Sequence, residues 1–246
     1  MPISRRFLAP LAFSALLGAA AAPSAQGADQ VDSAVFDLTL RGVYAGSLSV
    51  SGAVEGKSYV VSGVLKSGGL VALLRKVRYD ARSRGTVSGS GFTPARYEED
   101  ADTGKRKSQA VMEYVAGVPQ VKTYNPPKPP REGAVDPASQ GGTVDPLTAT
   151  FAALRDQPEG AACNSKLTMF DGRRRSQVTL AKPVASGTGI LCAGEYRRLA
   201  GFSDKDMAEK TRFPFEMRLE PTGDGKLRVV EVSMDTLYGK GRLKRR

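Results

Sequence analysis

From Ala34 onward the chain keeps returning to a period of two. Phe36, Leu38 and Leu40 fall on one side of a first run, with Asp37 and Thr39 on the other. Leu48 and Val50 alternate with serines, and Tyr59, Val61 and Leu65 share a face between Lys57 and Lys66. Phe213, Phe215, Met217 and Leu219 form the cleanest run, and Val230, Val232 and Met234 follow it. Such alternation marks strands whose sheet is apolar on one face and wet on the other. A long sheet of this kind must curl on itself or cover its apolar face. One stretch has a clean helical pattern instead. Asp145 suits an N-cap, Pro146 suits the first helical position, and Leu147, Phe151 and Leu154 recur at i, i+4 and i+7. The polar exit Arg155-Asp156-Gln157-Pro158 ends it. The expected fold is mainly β, or β-rich α+β. It is a strongly curved antiparallel open sheet, or half-barrel, of about ten strands around one central helix near 145–155.

The N-terminus bears on the compartment. Arg5 and Arg6 precede an apolar stretch from Phe7 to Leu17, and small residues from Gly18 to Ala22 offer A-x-A cleavage sites. About a dozen apolar residues cannot span roughly 30 Å of hydrocarbon, so the segment reads as a cleaved signal peptide over residues 1–25. A periplasmic product is expected, with no stable membrane insertion after cleavage. Residues 30–238 read as a single curved β-sheet domain and 239–246 as a basic C-terminal tail. The 36 Lys+Arg exceed the 25 Asp+Glu by 11. Two of that excess leave with the signal and five lie in the tail (Lys240, Arg242, Lys244, Arg245 and Arg246), which leaves +4 on the body. In an exported protein this basicity suits an anionic envelope polymer or protein rather than nucleic acid.

Two cysteines, Cys163 and Cys192, pair most simply as a disulfide in an oxidising compartment, contributing roughly 3.5 kcal/mol on the chain-entropy model. Asp171-Gly172 is a strong hairpin turn, and it is followed by Arg173, Arg174 and Arg175, a candidate anion contact or an exposed charge ladder on an edge strand. Glu98 to Lys105 reads as a charged hairpin tip. Leu70 to Leu74, followed by Arg75 and Lys76, reads as a corner helix sealing one end of the core; a mobile lid or a membrane-touching element is the alternative.

The missing residues narrow the chemistry. With no histidine, Ser-His-Asp and Cys-His sites and histidine-ligated zinc are excluded. Neither a P-loop nor G-x-S-x-G nor G-x-G-x-x-G occurs. No catalytic residue, metal site or cofactor is assigned, and a non-enzymatic role is expected. Seven apolar side chains are assigned to the concavity: Phe36, Leu38, Leu147, Phe151, Leu154, Phe213 and Phe215. If the helix fills the concavity, the chain is a packed module. If it lines one wall, there is room for a lipid or acyl chain.

Phe36 to Gly46, Gly69-Leu70 with Leu73, and Gly91-Phe92-x-Pro94 leading to Tyr97 occur in that order. Asp145-Pro146-Leu147-Thr148-Ala149 with Leu154-Arg155, and Phe170-Asp171-Gly172-Arg173-Arg174, follow. Together these segments resemble the exported bacterial family known as domain of unknown function 3108 (DUF3108), over roughly Val35 to Met234. The resemblance implies an open curved sheet around a helix, similar to periplasmic lipoprotein carriers and receptors of the LolA and LolB type. It carries over no catalytic residues. Two roles follow as expectations: a binding module holding a hydrophobic ligand, or an envelope scaffolding factor with a packed core and a basic surface.

Overall fold

The alternation resolves into fifteen strands in one antiparallel sheet, in a computed structural model that describes residues 29–127 and 133–246. The expected signal peptide lies outside the described residues. The first half of the chain is a meander: β1 (Gln30–Leu40), β2 (Val43–Glu55), β3 (Ser58–Ser67), a short helix α1 (Gly69–Leu74), β4 (Arg78–Ser88), β5 (Gly91–Asp102), β6 (Lys107–Val115) and β7 (Val118–Asn125). The central helix α2 (Pro146–Leu154) follows. Then come β8 (Gln157–Pro158), β9 (Ser165–Phe170), β10 (Arg175–Leu180), β11 (Val184–Ser186) and β12 (Gly189–Ala200). A helix α3 (Asp204–Glu209) precedes β13 (Arg212–Pro221), β14 (Lys226–Thr236) and β15 (Gly239–Arg245).

The main path of the sheet runs β7-β6-β5-β4-β3-β2-β1-β15-β14-β13-β12-β10-β9, with β11 added to β12 and β8 to β14. The expected basic tail is therefore a strand in the middle of the sheet. Lys240, Arg242 and Lys244 alternate with Gly241 and Leu243, and β15 pairs with β1 on one side and β14 on the other. Arg242 meets Glu231 and Arg246 meets Asp37, so part of this charge is compensated along the strand. The charged run Glu98 to Asp102 also differs from expectation. It belongs to β5, and the turn begins only at Thr103, because Arg78 to Arg82 of β4 opposes that run residue by residue.

The two ends of the path are spanned by chain that is not itself strand. Gly142 N–H donates to Gly117 O at the β6–β7 turn, and Val144 exchanges bonds with Thr168 and Phe170 of β9. The β9–β10 turn leans the same way, and Gly172 lies against Met112 and Val121 of β6 and β7. The result is a barrel-like half-closed sheet with α2 inside it.

Helix α2 seats on glycines. A Cβ on Gly52 would stand 2.6 Å from the Phe151 ring, and one on Gly63 2.6 Å from the Leu147 methyl. Those two bare positions in β2 and β3 let the helix approach the first half of the sheet. Leu147 and Phe151 enter a cluster with Tyr59, Phe92, Tyr97 and Met112, in which Phe92 meets both Tyr59 and Phe151 edge to face. Leu154 belongs to a second cluster under the later strands, with Phe36, Met217, Leu219 and Val229. The apolar stripe read from i, i+4, i+7 is thus divided between two cores. In β14 the register shifts opposite Arg218 and Leu219. That bulge turns Leu227 and Val229 inward in place of Val230. Cys163 and Cys192 are disulfide-bonded, with Cα atoms 5.4 Å apart, and tie the segment after α2 to β12.

Candidate ligand groove and its rim

The small side chains of α2 decide what remains empty. Ala149, Thr150 and Ala153 lie on the flank away from Leu147 and Phe151. Opposite them, Met217, Val232 and Leu243 form a row in direct register across β13, β14 and β15. Between helix and row is a groove of about 470 Å³, partly open to solvent and lined mainly by carbon. That volume lies within the range of sites for small organic ligands. Its charged groups are Asp171 and the exposed Arg174, which mark its mouth and line it together with Phe202, and Thr150 and the buried Ser176 add hydroxyls to the wall. The Arg174 guanidinium lies 5.2 Å from the centre of the Phe202 ring.

The arginine turn is built by its aspartate. Asp171 Oδ1 accepts from the backbone N–H groups of Arg173 and Arg174 at 2.9 and 2.7 Å, which folds the β9–β10 turn tightly. The three arginines then diverge. Arg174 is exposed at the groove mouth, Arg173 lies 6.0 Å from the Tyr124 ring, and Arg175 donates to Gln140 Oε1 at 3.0 Å. Arg173 and Arg174 meet Arg106, Thr103 and Tyr79 around a small polar hollow that shares Asp171 with the groove mouth. Arg75, Arg106 and Arg174 are all near enough to stabilise a Tyr79 phenolate, although burial and Glu99 leave that phenol raised.

Of the seven apolar residues assigned to the concavity, Leu154 and Phe215 line the groove. Leu147 and Phe151 fill the other half of the core. Phe36 is fully buried in the second cluster, and Leu38 sits in β1 directly opposite Leu243. Phe213 packs at the groove's edge against Tyr196, with Arg198 and Lys210 over its ring. Ala149, Ala153, Phe202 and Leu243 were missed. The only signal for the first two was the spacing of small residues opposite the helix's large ones.

A buried polar cluster lies at the start of α2. Asp145 is fully buried, and its Oδ1 caps Thr148 N–H at 2.8 Å. Its Oδ2 accepts from Ser83 Oγ at 2.7 Å and Thr148 Oγ1 at 2.6 Å, and Tyr59 Oη meets Thr148 Oγ1 at 2.8 Å. Burial raises the Asp145 pKa against the lowering effect of these bonds. The Tyr59 phenol is pushed up to about 12 by burial and by Asp145. All four side chains are buried and hydrogen-bonded to one another, so their chemistry serves to position the helix. Among the described residues no group of three or more His, Cys, Asp or Glu could hold a metal. No helix among them is long and apolar enough to cross a membrane.

The family model described as protein of unknown function (DUF3108) matches residues 35–196. No curated protein matches the chain. Among solved structures, the chain is similar to the crystal structure of a beta-barrel-like protein of domain of unknown function DUF1849 from Brucella abortus. The identity is 15%, over 87% of this chain and 94% of that one, with a TM-score of 0.46.

Proposed function

We propose, for a chain that belongs to the DUF3108 family, the role of an exported, non-enzymatic binding module that holds an amphiphile with its apolar chain in the groove and its anionic head at Arg174. The observation that carries this reading is the division of the groove itself. Its lining is mainly apolar, and its only charged members are Asp171 and the exposed Arg174. Each methylene moved from water into such a site contributes about 0.8 kcal/mol, so a chain of several carbons is held without any polar contact inside. The head then needs one forked donor, which the exposed Arg174 guanidinium supplies. The disulfide supports an oxidising location such as the periplasm. A curved sheet over one helix is also the arrangement implied by the resemblance to carriers and receptors of the LolA and LolB type, and the present reading rests on the groove rather than on that likeness. The alternative, an envelope factor whose basic surface contacts an anionic polymer or partner, would present that surface from strand β15, where Lys240, Arg242 and Lys244 are exposed, rather than from a free tail.

Purified protein, delipidated and then offered a fluorescent fatty acid, should take it up. Ala153→Trp should abolish uptake by filling the groove. Arg174→Gln should weaken binding of the acid more than of the corresponding alcohol. Absence of uptake by the wild-type chain, or equal uptake by Ala153→Trp, would sink the proposal.

A further inference from the structure

Helix α1 is expected from the sequence to seal a corner of the core, and it does the opposite. Leu70, Leu73 and Leu74 are 67%, 82% and 89% exposed, and none of its residues is buried. Their spacing of three and four places them on one side of the helix. Val71 and Ala72, half-buried, take the other. The helix is held firmly in this pose. Ser67 N–H donates to Val77 O at 2.9 Å and Val77 N–H to Ser67 Oγ at 2.8 Å, which pinches the excursion at its base. Gly68 N–H donates to Ala45 O at 2.9 Å, and a Cβ on Gly68 would stand 2.6 Å from the Tyr44 ring, so the helix starts directly on that ring. Three exposed leucines on a fixed support are unusual for a surface meeting only water.

Cations surround them. Arg75 and Lys76 follow the helix, and the β5–β6 turn with Lys105, Arg106 and Lys107 packs alongside. Arg75 Nε donates to Thr103 O at 3.2 Å, and Gly104 abuts Lys76 O. Lys107 is paired with Asp102 and Arg78 with Asp80. Arg75, Lys76 and Lys105 have no carboxylate partner among the described residues. Apolar side chains at the tip with unpaired cations behind them match the layering of a bilayer surface with anionic headgroups. We propose that this face docks reversibly on an anionic lipid membrane, the three leucines entering the headgroup–acyl boundary while Arg75, Lys76 and Lys105 meet lipid phosphates. Through Arg106 and the hollow it shares with Arg174, the same end carries the groove mouth, so docking would bring that mouth to the membrane. Docking itself does not require the groove to hold anything.

The test is flotation of the full mature chain with vesicles of phosphatidylcholine alone and of phosphatidylcholine with phosphatidylglycerol. The protein should float with the anionic vesicles and detach as salt rises. Leu73→Ser with Leu74→Ser should weaken partitioning by about tenfold or more while leaving the melting temperature unchanged. Lys76→Gln with Lys105→Gln should lower binding to anionic vesicles only. Ala153→Trp should float like wild type, which separates this proposal from the groove's ligand. The proposal is overturned if the wild-type chain does not float, or if the leucine variant floats equally well. It is also overturned if, without lipid, wild type is a dimer by sedimentation and the leucine variant a monomer, since a second copy would then be the occupant.

Discussion

Replacing Asp145 tests how the hub of the fold is held. Asp145→Ala removes the cap on Thr148 N–H, worth about 1 kcal/mol, and the common acceptor of the Ser83 and Thr148 hydroxyls. Those hydroxyls retain weaker outlets, Ser83 to Arg96 O at 3.3 Å and Thr148 to Tyr59 Oη, so their loss is taken at the low end, about 1 kcal/mol each. Removing a buried carboxylate returns part of that total, which leaves a net cost of about 2–3 kcal/mol. For a chain of this size the melting temperature should fall by about 4–12 °C. Asp145→Asn should behave differently. Its carbonyl oxygen keeps the cap, its amide donates to both hydroxyl oxygens, and the hydroxyl protons turn to Arg96 O and Tyr59 Oη. At neutral pH it should lie within about 1 kcal/mol of wild type. The pH dependence separates the two ideas further. A carboxyl with a raised folded-state pKa binds its proton more tightly in the native state than in the unfolded chain. Native wild type should therefore lose stability relative to Asp145→Asn as pH rises from the ordinary aspartate value of 3.8 through the raised one, and the difference should level off above it. Urea unfolding of both proteins across that window reads this directly. If Asp145→Asn is as damaging as Asp145→Ala, or if wild type gains on it with rising pH, the carboxylate is needed as an anion and the reasoning fails.

Two further outcomes concern the later strands. Removing the disulfide by Cys163→Ser with Cys192→Ser opens a loop spanning 29 positions and should cost about 3.5 kcal/mol in urea unfolding, while thiol titration of the unreduced protein should find no free cysteine. Asp156 holds Arg228 through a two-pronged contact and is the carboxylate nearest Arg245, whose Nη1 is buried without a hydrogen bond. Asp156→Ala should cost about 3 kcal/mol, and Asp156→Ala combined with Arg245→Met should recover part of it, as read by calorimetry.

Much of this was legible because alternation and capping are local signals. Asp145-Pro146 and the Leu147–Leu154 spacing place α2 to within a residue, and Asp171-Gly172 places the β9–β10 turn. β15 was hidden because its outward residues are Lys240, Arg242 and Lys244 and its inward ones include glycine, a pattern that reads as a solvated tail until both neighbouring strands are known. Helix α3 begins at a Ser203 capping box, but it is only six residues long and none of them is buried, so no apolar stripe announces it. The groove was half visible. The large residues of α2 show where it packs, whereas an empty space depends on which strands stand opposite Ala149 and Ala153, and that is set by pairings distant in sequence. Leu70, Leu73 and Leu74 looked like core for the same reason, since nothing local says that a leucine has been left uncovered.

The position of β15 also has a consequence in time. The strand joins Phe36 to Arg245 and Val232 to Leu243, and the contact from Arg246 back to Asp37 spans 209 positions. The meander from β1 to β7 can pair neighbour by neighbour as it emerges, but β1 keeps one open edge until the latest-made strand arrives. Until then the two halves of the sheet have no common seam, and the row of Met217, Val232 and Leu243 facing α2 lacks its last member. A chain emerging end-first would stay open along that seam until β15 arrived, and on the function proposed above it would become able to hold a ligand only once the seam had closed.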